Sequence, residues 1–343
     1  MDGSTFFVKF NRLRAKGKYC LMNHRTSPTG TSLANNEQRT NLHRHVVQFP
    51  HPGKEHLLRS KEGTMPWNRG GHCRKFMQAT GHYVEDGKLI CDKELMFWGE
   101  WEPQSRYREI NKNGSPRYLH YPILDLSAEK QIDGKIRQNT DPFVFADAFY
   151  YRCCKQMRAS RPTQLASLDR GSIILFGSHV GDAFAIDTVF VVDESRPYPD
   201  TLNPKELEGF VPERYADIVS IGYDKYASPS ASPGCGGCTP QVASVPRQFR
   251  CYRGATFENR VNGMYSFVPC RLAKDNPQGF ERPIIKHSDL YFISDSLART
   301  YKCKKDVSMD EAYEIWCKVQ DLCHRQEFLN GVRFYYKSIN NKK

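Results

Sequence analysis

Gly171-Ser172-Ile173-Ile174-Leu175-Phe176-Gly177-Ser178, followed shortly by Phe184-Ala185-Ile186-Asp187-Thr188-Val189-Phe190-Val191-Val192-Asp193, is the stretch of this sequence that decides its fold. Both runs are rich in β-branched and aromatic residues, which suit a pleated, buried surface. Neither approaches the roughly 20 apolar residues of a membrane helix, and no other segment does better. Glycines bound the first run and Gly181-Asp182 supplies a turn, so the pair reads as an antiparallel hairpin at the centre of a sheet.

Working outward, further short strands are predicted at Tyr215 to Tyr223, Gly263 to Cys270 and Leu290 to Ile293. Asp141 to Gln156 reads as a buried helix, because Phe145, Phe149, Cys153 and Gln156 recur three or four positions apart. The C-terminal helix, 309–330, is clearer. Ser308 and Glu311 make a capping box, Ala312, Ile315, Trp316, Val319, Leu322 and Cys323 form one apolar face, and Gly331 is placed to stop it. Thr26 to Arg39, Pro197 to Pro212 and Ala227 to Pro246 are loops by composition, and Pro116 to Leu126 is an extended connection. A clean βαβ alternation is missing. The predicted fold is therefore α+β: a mainly antiparallel sheet or open β-barrel with a few peripheral helices and long loops. Residues 1–125 form a basic, His- and Trp-rich region and 126–343 a β-rich core, as two lobes or one continuous domain.

Fifty Lys and Arg against 38 Asp and Glu give a net charge of +12. Fourteen of the basic and four of the acidic residues fall within positions 1–80, an excess of ten, so the rest of the chain adds only two. A field that lopsided attracts phosphate backbones, with binding that weakens as salt rises. A basic face kept for solubility is the plainer alternative. Met1 to Phe10 lacks the basic start and long apolar middle of a secretory signal. The expectation is a cytoplasmic protein without membrane attachment, whose twelve cysteines are mostly reduced packing residues.

Six of the eleven histidines, His43, His45, His51, His56, His72 and His82, fall within forty residues. Imidazole is the side chain best suited to proton transfer near neutral pH. His51-Pro52-Gly53-Lys54-Glu55-His56 couples two histidines and a carboxylate across a turn; Pro-Gly forbids the regular helix of zinc proteases, and a solvated surface turn is the alternative. Pro66-Trp67-Asn68-Arg69-Gly70-Gly71-His72-Cys73-Arg74-Lys75-Phe76 combines an aromatic plane, an amide and three cations, the groups that stack on a base while holding a phosphate. Phe97-Trp98-Gly99-Glu100-Trp101-Glu102-Pro103 reads as a strand with one aromatic and one acidic face. Its carboxylates are candidates for a general base, a base-edge acceptor or ordinary ion pairs.

Candidate catalytic residues are thus His51, Glu55, His56, His72, Glu100 and Glu102. Candidate nucleic-acid contacts are Arg12, Arg14, Lys16 and Lys18 in the first basic run, then Trp67, Asn68, Arg69, Arg74, Lys75, Trp98 and Trp101. Cys235-Gly236-Gly237-Cys238 is a lone CxxC pair without a second pair at zinc-finger spacing, so no metal is assigned. No phosphate-binding glycine loop of the ATPase or dinucleotide kind is present, and the cofactor is left open.

His-Pro-Gly-x-Glu-His, Phe-Trp-Gly-Glu-Trp-Glu-Pro, Asn139-Thr140-Asp141-Pro142-Phe143-Val144-Phe145 and Gly171 to Ser178, in that order, resemble a family of bacterial proteins of unassigned function over roughly residues 45–195. That resemblance carries no activity. Gly171 to Phe176 with Phe184 to Val192 also resembles the strands of PUA- or ASCH-type barrels, which implies binding of RNA or modified bases.

Together these features predict a nucleic-acid-directed protein, on DNA or RNA, in a setting such as defence or nucleic-acid modification. The competing expectations are a nuclease or nucleotide-processing hydrolase using the His and Glu residues above, and an interaction subunit without chemistry. Oligomeric state is not legible.

Overall fold

The computed structural model describes residues 43–50, 64–65, 74–101, 105–123, 140–158, 161–180, 183–199, 204–212, 215, 248–294 and 301–335. These belong to the compact unit Gln38–Lys343. In chain order the strands are β1 (Val46–Pro50), β2 (Thr64–Met65), β3 (Arg74–Glu85), β4 (Lys88–Glu100), β5 (Ser105–Glu109), β6 (Tyr118–Pro122), β7 (Tyr150–Tyr151) and β8 (Met157–Arg158). They continue with β9 (Arg161–Pro162), β10 (Ile173–Val180), β11 (Ala183–Pro199), β12 (Gln248–Gly254), β13 (Val268–Leu272), β14 (Ile284–Ile285), β15 (Lys302–Lys304) and β16 (Leu329–Tyr335). The α-helix described along its full length is α1 (Met309–Arg325).

The predicted hairpin is β10 and β11, paired antiparallel from Ile173 opposite Val191 to Val180 opposite Ala183. Ile173 to Ser178 and Phe184 to Val192 are buried throughout, which explains their unbroken apolar character. The turn residues Gly181 and Asp182 lie outside the described residues. β1 runs parallel to β10 and β15 flanks it antiparallel. Beyond Val192 the register shifts, and the rest of β11 pairs with β12, which pairs with β7. The first sheet therefore runs β15-β1-β10-β11-β12-β7, with β14 also on β11.

The second sheet runs β16-β13-β4-β3-β6-β5-β2, with β16 returning to pair with β3. Both sheets draw strands from either side of residue 125. The fold is mostly β, in mixed and antiparallel sheets rather than one closed barrel. One continuous core joins Phe49, Tyr151, Phe176, Phe190 and Tyr252 with Phe97, Trp101, Phe145, Phe149 and Phe334. Burying each such ring stabilises by roughly 1.5–3 kcal/mol. No helix among the described residues is long and apolar enough to cross a membrane.

Helix α1 begins as its sequence dictates: Ser308 Oγ accepts from Glu311 N at 3.0 Å. Its apolar face is anchored by Trp316 Nε1, which donates to the Tyr265 carbonyl at 2.9 Å. Glu311 does not turn back to complete the box; its carboxylate pairs with Lys304 Nζ at 2.7 Å.

Five expectations are corrected. The helix stops at Arg325, not near 330, and Gly331 lies inside β16 opposite Val268. Asp141 to Gln156 is not helical: the Asp141 carboxylate accepts from Arg152 N, Cys153 N and Cys154 N, and Phe143 pairs with Tyr150, so the chain folds back in a loop. Leu290 to Ile293 is a turn, in which Leu290 N and Asp289 N both donate to the Lys286 carbonyl. Gly263 to Cys270 becomes a strand only from Val268, after a tight Val261–Met264 bridge. Of Tyr215 to Tyr223, only Tyr215 is described, and it is helical rather than extended, its N donating to the Pro212 carbonyl at 2.8 Å.

Candidate functional site

Arg12, Arg14, Lys16, Lys18, His51, Glu55, His56, Trp67, Asn68, Arg69, His72 and Glu102 lie outside the described residues, as do Cys235 and Cys238. Arg74, Lys75, Trp98, Glu100 and Trp101 are described, and all five are buried. The structure brings them together where β3 begins and β4 ends, with Arg74 opposite Glu100 and Lys75 opposite Gly99.

The expected split into an aromatic and an acidic face is corrected by the period of a strand. Residues two apart share a face, so Trp98 and Glu100 point the same way, above their partners Phe76 and Arg74. Trp98 is 3% exposed: its Nε1 donates to the Phe280 carbonyl at 2.7 Å, Phe76 packs 5.4 Å away, and the Arg282 guanidinium lies 5.2 Å from the ring. Trp101 is fully buried, edge-on to Phe145 at 4.9 Å. Protein covers both rings, so neither offers a stacking plane to a base. Arg74 and Lys75 are likewise buried and do not face a phosphate backbone.

What they form instead is a charge cluster between the sheets. Arg74 Nη1 donates to Glu100 Oε2 at 2.8 Å. Across the interface Arg74 Nε stands 2.6 Å from Asp187 Oδ2, a contact ion pair whose N–H is not aligned for a hydrogen bond. Arg282 adds a second guanidinium 3.8 Å from the same oxygen and donates to Ser178 Oγ. Asp187 reaches this position through a β-bulge. Phe176 pairs with Thr188 and Gly177 with Ile186, so Asp187 is the extra residue of its strand. Bulges of this kind re-aim a side chain. Gly177 is required here, since a Cβ would strike the Ala185 carbonyl.

Burial pushes the Asp187 carboxyl above its ordinary range, against the pull of Arg74 and Arg282. Burial likewise lowers Arg282, to about 10. Arg74 loses by burial as well, yet the two carboxylates hold its charge more firmly than usual. Two cations and two anions balance, but Asp187 Oδ1 and Arg74 Nη2 have no hydrogen-bond partner among the described residues.

A second cluster lies beside the first. Ligand atoms of Asp141, Cys153 and Cys154 are all within 4.8 Å of one another and buried. Burial raises the Asp141 carboxyl despite its three backbone donors, and the hydrogen bond with Cys153, then burial, raise the Cys154 thiol. The carboxylate is already committed to closing the loop, and protonated thiols are poor ligands. The set reads as structural. Next in the chain, Lys155 donates to the Pro50 carbonyl and lies 4.9 Å from the centre of the Phe49 ring, its pKa lowered by burial.

Of the clustered histidines, His45 and His82 are engaged in the fold. His45 Nδ1 accepts from Asp306 N at 3.2 Å. His82 Nδ1 accepts from Asp92 N, and its Nε2 meets Tyr335 OH at 3.1 Å. Outside the predicted set, buried Ser105 Oγ lies 3.0 Å from His120 Nδ1.

Sequence reasoning missed Asp187, Arg282 and Ser178. A signal for the first was present: Asp187 is the single charge within the apolar run Phe184 to Val192. Nothing local marks Arg282 or Ser178. No protein-family model, curated protein or solved structure matches this chain.

Proposed function

We propose that this is a nucleic-acid-directed protein that holds phosphate backbones through the basic residues of its first eighty positions, the buried Arg74 and Lys75 excepted. The observation that carries this reading is the charge distribution, an excess of ten positive charges in residues 1–80 against two in all the rest. Stacking by Trp98 and Trp101 is withdrawn from it, because both rings are buried. Trp67 stays as the proposed stacking residue, and DNA and RNA both stay as partners. A PUA- or ASCH-like reading of β10 and β11 fits the same class of partner, although such hairpins occur in many folds and the weight rests on charge. The direct check replaces Arg12, Arg14, Lys16 and Lys18 together by Gln and compares retention of labelled DNA and RNA on filters. Weakened retention of every sequence is expected; unchanged retention would remove the basic run from the interface.

A second reading, a nuclease or nucleotide-processing hydrolase, is favoured by one feature. Glu100 and Asp187 are two buried carboxylates sharing Arg74. In the sequence they adjoin further acid–base candidates: Glu102 follows Glu100 by two residues and His72 precedes Arg74 by two. Loss of strand scission in both His72→Ala and Glu102→Gln, with melting temperatures near wild type, supports this reading; intact nucleic acid after prolonged incubation with the wild-type chain eliminates it.

A further inference from the structure

Strands β8 and β9 form a separate two-stranded ribbon in which Arg158 stands directly opposite Arg161. Both side chains are exposed. Among the described residues neither forms an ion pair. Residues directly opposite in an antiparallel ladder hold their Cβ atoms about 4.5–5.5 Å apart, and like charges so placed repel. The fold thus maintains an unfavourable exposed pair on a short ribbon that Met157 anchors in the core.

The base of the ribbon is clamped. Thr163 N donates to the Gln156 carbonyl at 2.8 Å, and Thr163 Oγ1 donates to the Lys155 carbonyl at 2.8 Å. The Gln156 side chain reads both sides of Arg250 on β12, accepting from Arg250 N at 2.9 Å and donating to the Arg250 carbonyl at 2.8 Å. The two arginines therefore project from a fixed platform, which removes much of the ordering cost of gripping a ligand. The segment is strongly one-signed: Arg152, Lys155, Arg158 and Arg161 recur every third residue with no carboxylate between them.

We infer that the Arg158–Arg161 pair is a phosphate fork, in which the ribbon sets two guanidiniums to contact the phosphodiester backbone of a nucleic acid. An anion between the guanidiniums turns the repulsion into attraction, and guanidinium is the side-chain group whose planar donors match phosphate oxygens in pairs. This rests on the nucleic-acid reading above and extends it beyond the first eighty residues.

The test compares the full-length chain with the double variant Arg158→Gln/Arg161→Gln, using Lys274→Gln/Lys286→Gln as a control that removes the same charge from two other exposed positions. Affinity for a labelled 20-base-pair DNA duplex and a labelled single-stranded RNA is measured across a salt series. The arginine variant should lower the slope of log affinity against log salt by about 2 on the preferred nucleic acid, while the lysine control moves it much less. Its melting temperature should stay level or rise slightly, because the repulsion is gone. A slope equal to wild type, or a loss matched by the lysine control, overturns the fork and leaves the nucleic-acid reading standing. No binding by the wild-type chain overturns both.

Discussion

Arg74, the first residue of β3, stands 2.6 Å from Asp187, the bulged residue of β11, and this contact ties one seven-stranded sheet to the other. Both side chains are fully buried, so desolvation offsets much of their attraction, yet removing one member alone strands a buried charge and is costly.

Asp187→Ala leaves two buried guanidiniums with only Glu100 for compensation. A loss of about 3–5 kcal/mol in denaturant unfolding is expected. Replacing Asp187 by Leu together with Arg74→Met should recover much of that loss, since well-packed apolar groups replace buried ions at little cost. A double variant as unstable as the single would show that the ion pair is not what the site depends on.

Trp98→Phe should cost about 1 kcal/mol, from the lost Nε1 bond to the Phe280 carbonyl and a weaker seat for Arg282. Nucleic-acid affinity should be unchanged within error, because the ring is covered. A large affinity loss without destabilisation would restore Trp98 as a stacking residue.

The stability of the fold should depend on pH through His45. Burial holds its pKa below the ordinary 6.5, and Nδ1 must stay unprotonated to accept from Asp306 N. The folded state therefore binds fewer protons than the unfolded one near that pH. The contribution is fully present above 6.5 and is lost as pH falls through that value toward the lower folded pKa. His324 is lowered in the same direction, also by burial. The variant His45→Asn, whose carbonyl can take the same bond, should flatten part of the decline, as read by chemical unfolding at a series of pH values. An unaltered pH profile would place the titration elsewhere.

Ser308→Ala removes the cap from α1 and should lower stability by about 1 kcal/mol, while Ser308→Asp should hold it near wild type. Thermal melts of the two variants check this; equal losses would mean that the hydroxyl, not the capping geometry, matters.

Much of the fold was legible where local chemistry and tertiary context agree. The run Ile173 to Phe176 is apolar without alternation because its strand is buried on both faces, and Ser308 is a serine because the first turn of a helix has unpaired N–H groups. Where context overrides pattern, the reading failed. Phe145, Phe149 and Cys153 have helical spacing, yet they are core residues of a loop that the Asp141 carboxylate pins by long-range bonds. The candidate site was half visible. Arg74 and Glu100 could be picked out as charges near aromatics, but their burial depends on Asp187, which the sequence places more than a hundred residues downstream of Arg74. Pairings across that separation leave no local trace.

The measurement that bears most directly on the central claim is the affinity of the purified full-length chain for duplex DNA and single-stranded RNA at about 50 and 200 mM salt. Binding that weakens by roughly a thousandfold or more across that interval, as six or more phosphate contacts require, is the predicted result. Binding insensitive to salt, or no binding to either nucleic acid, would contradict it.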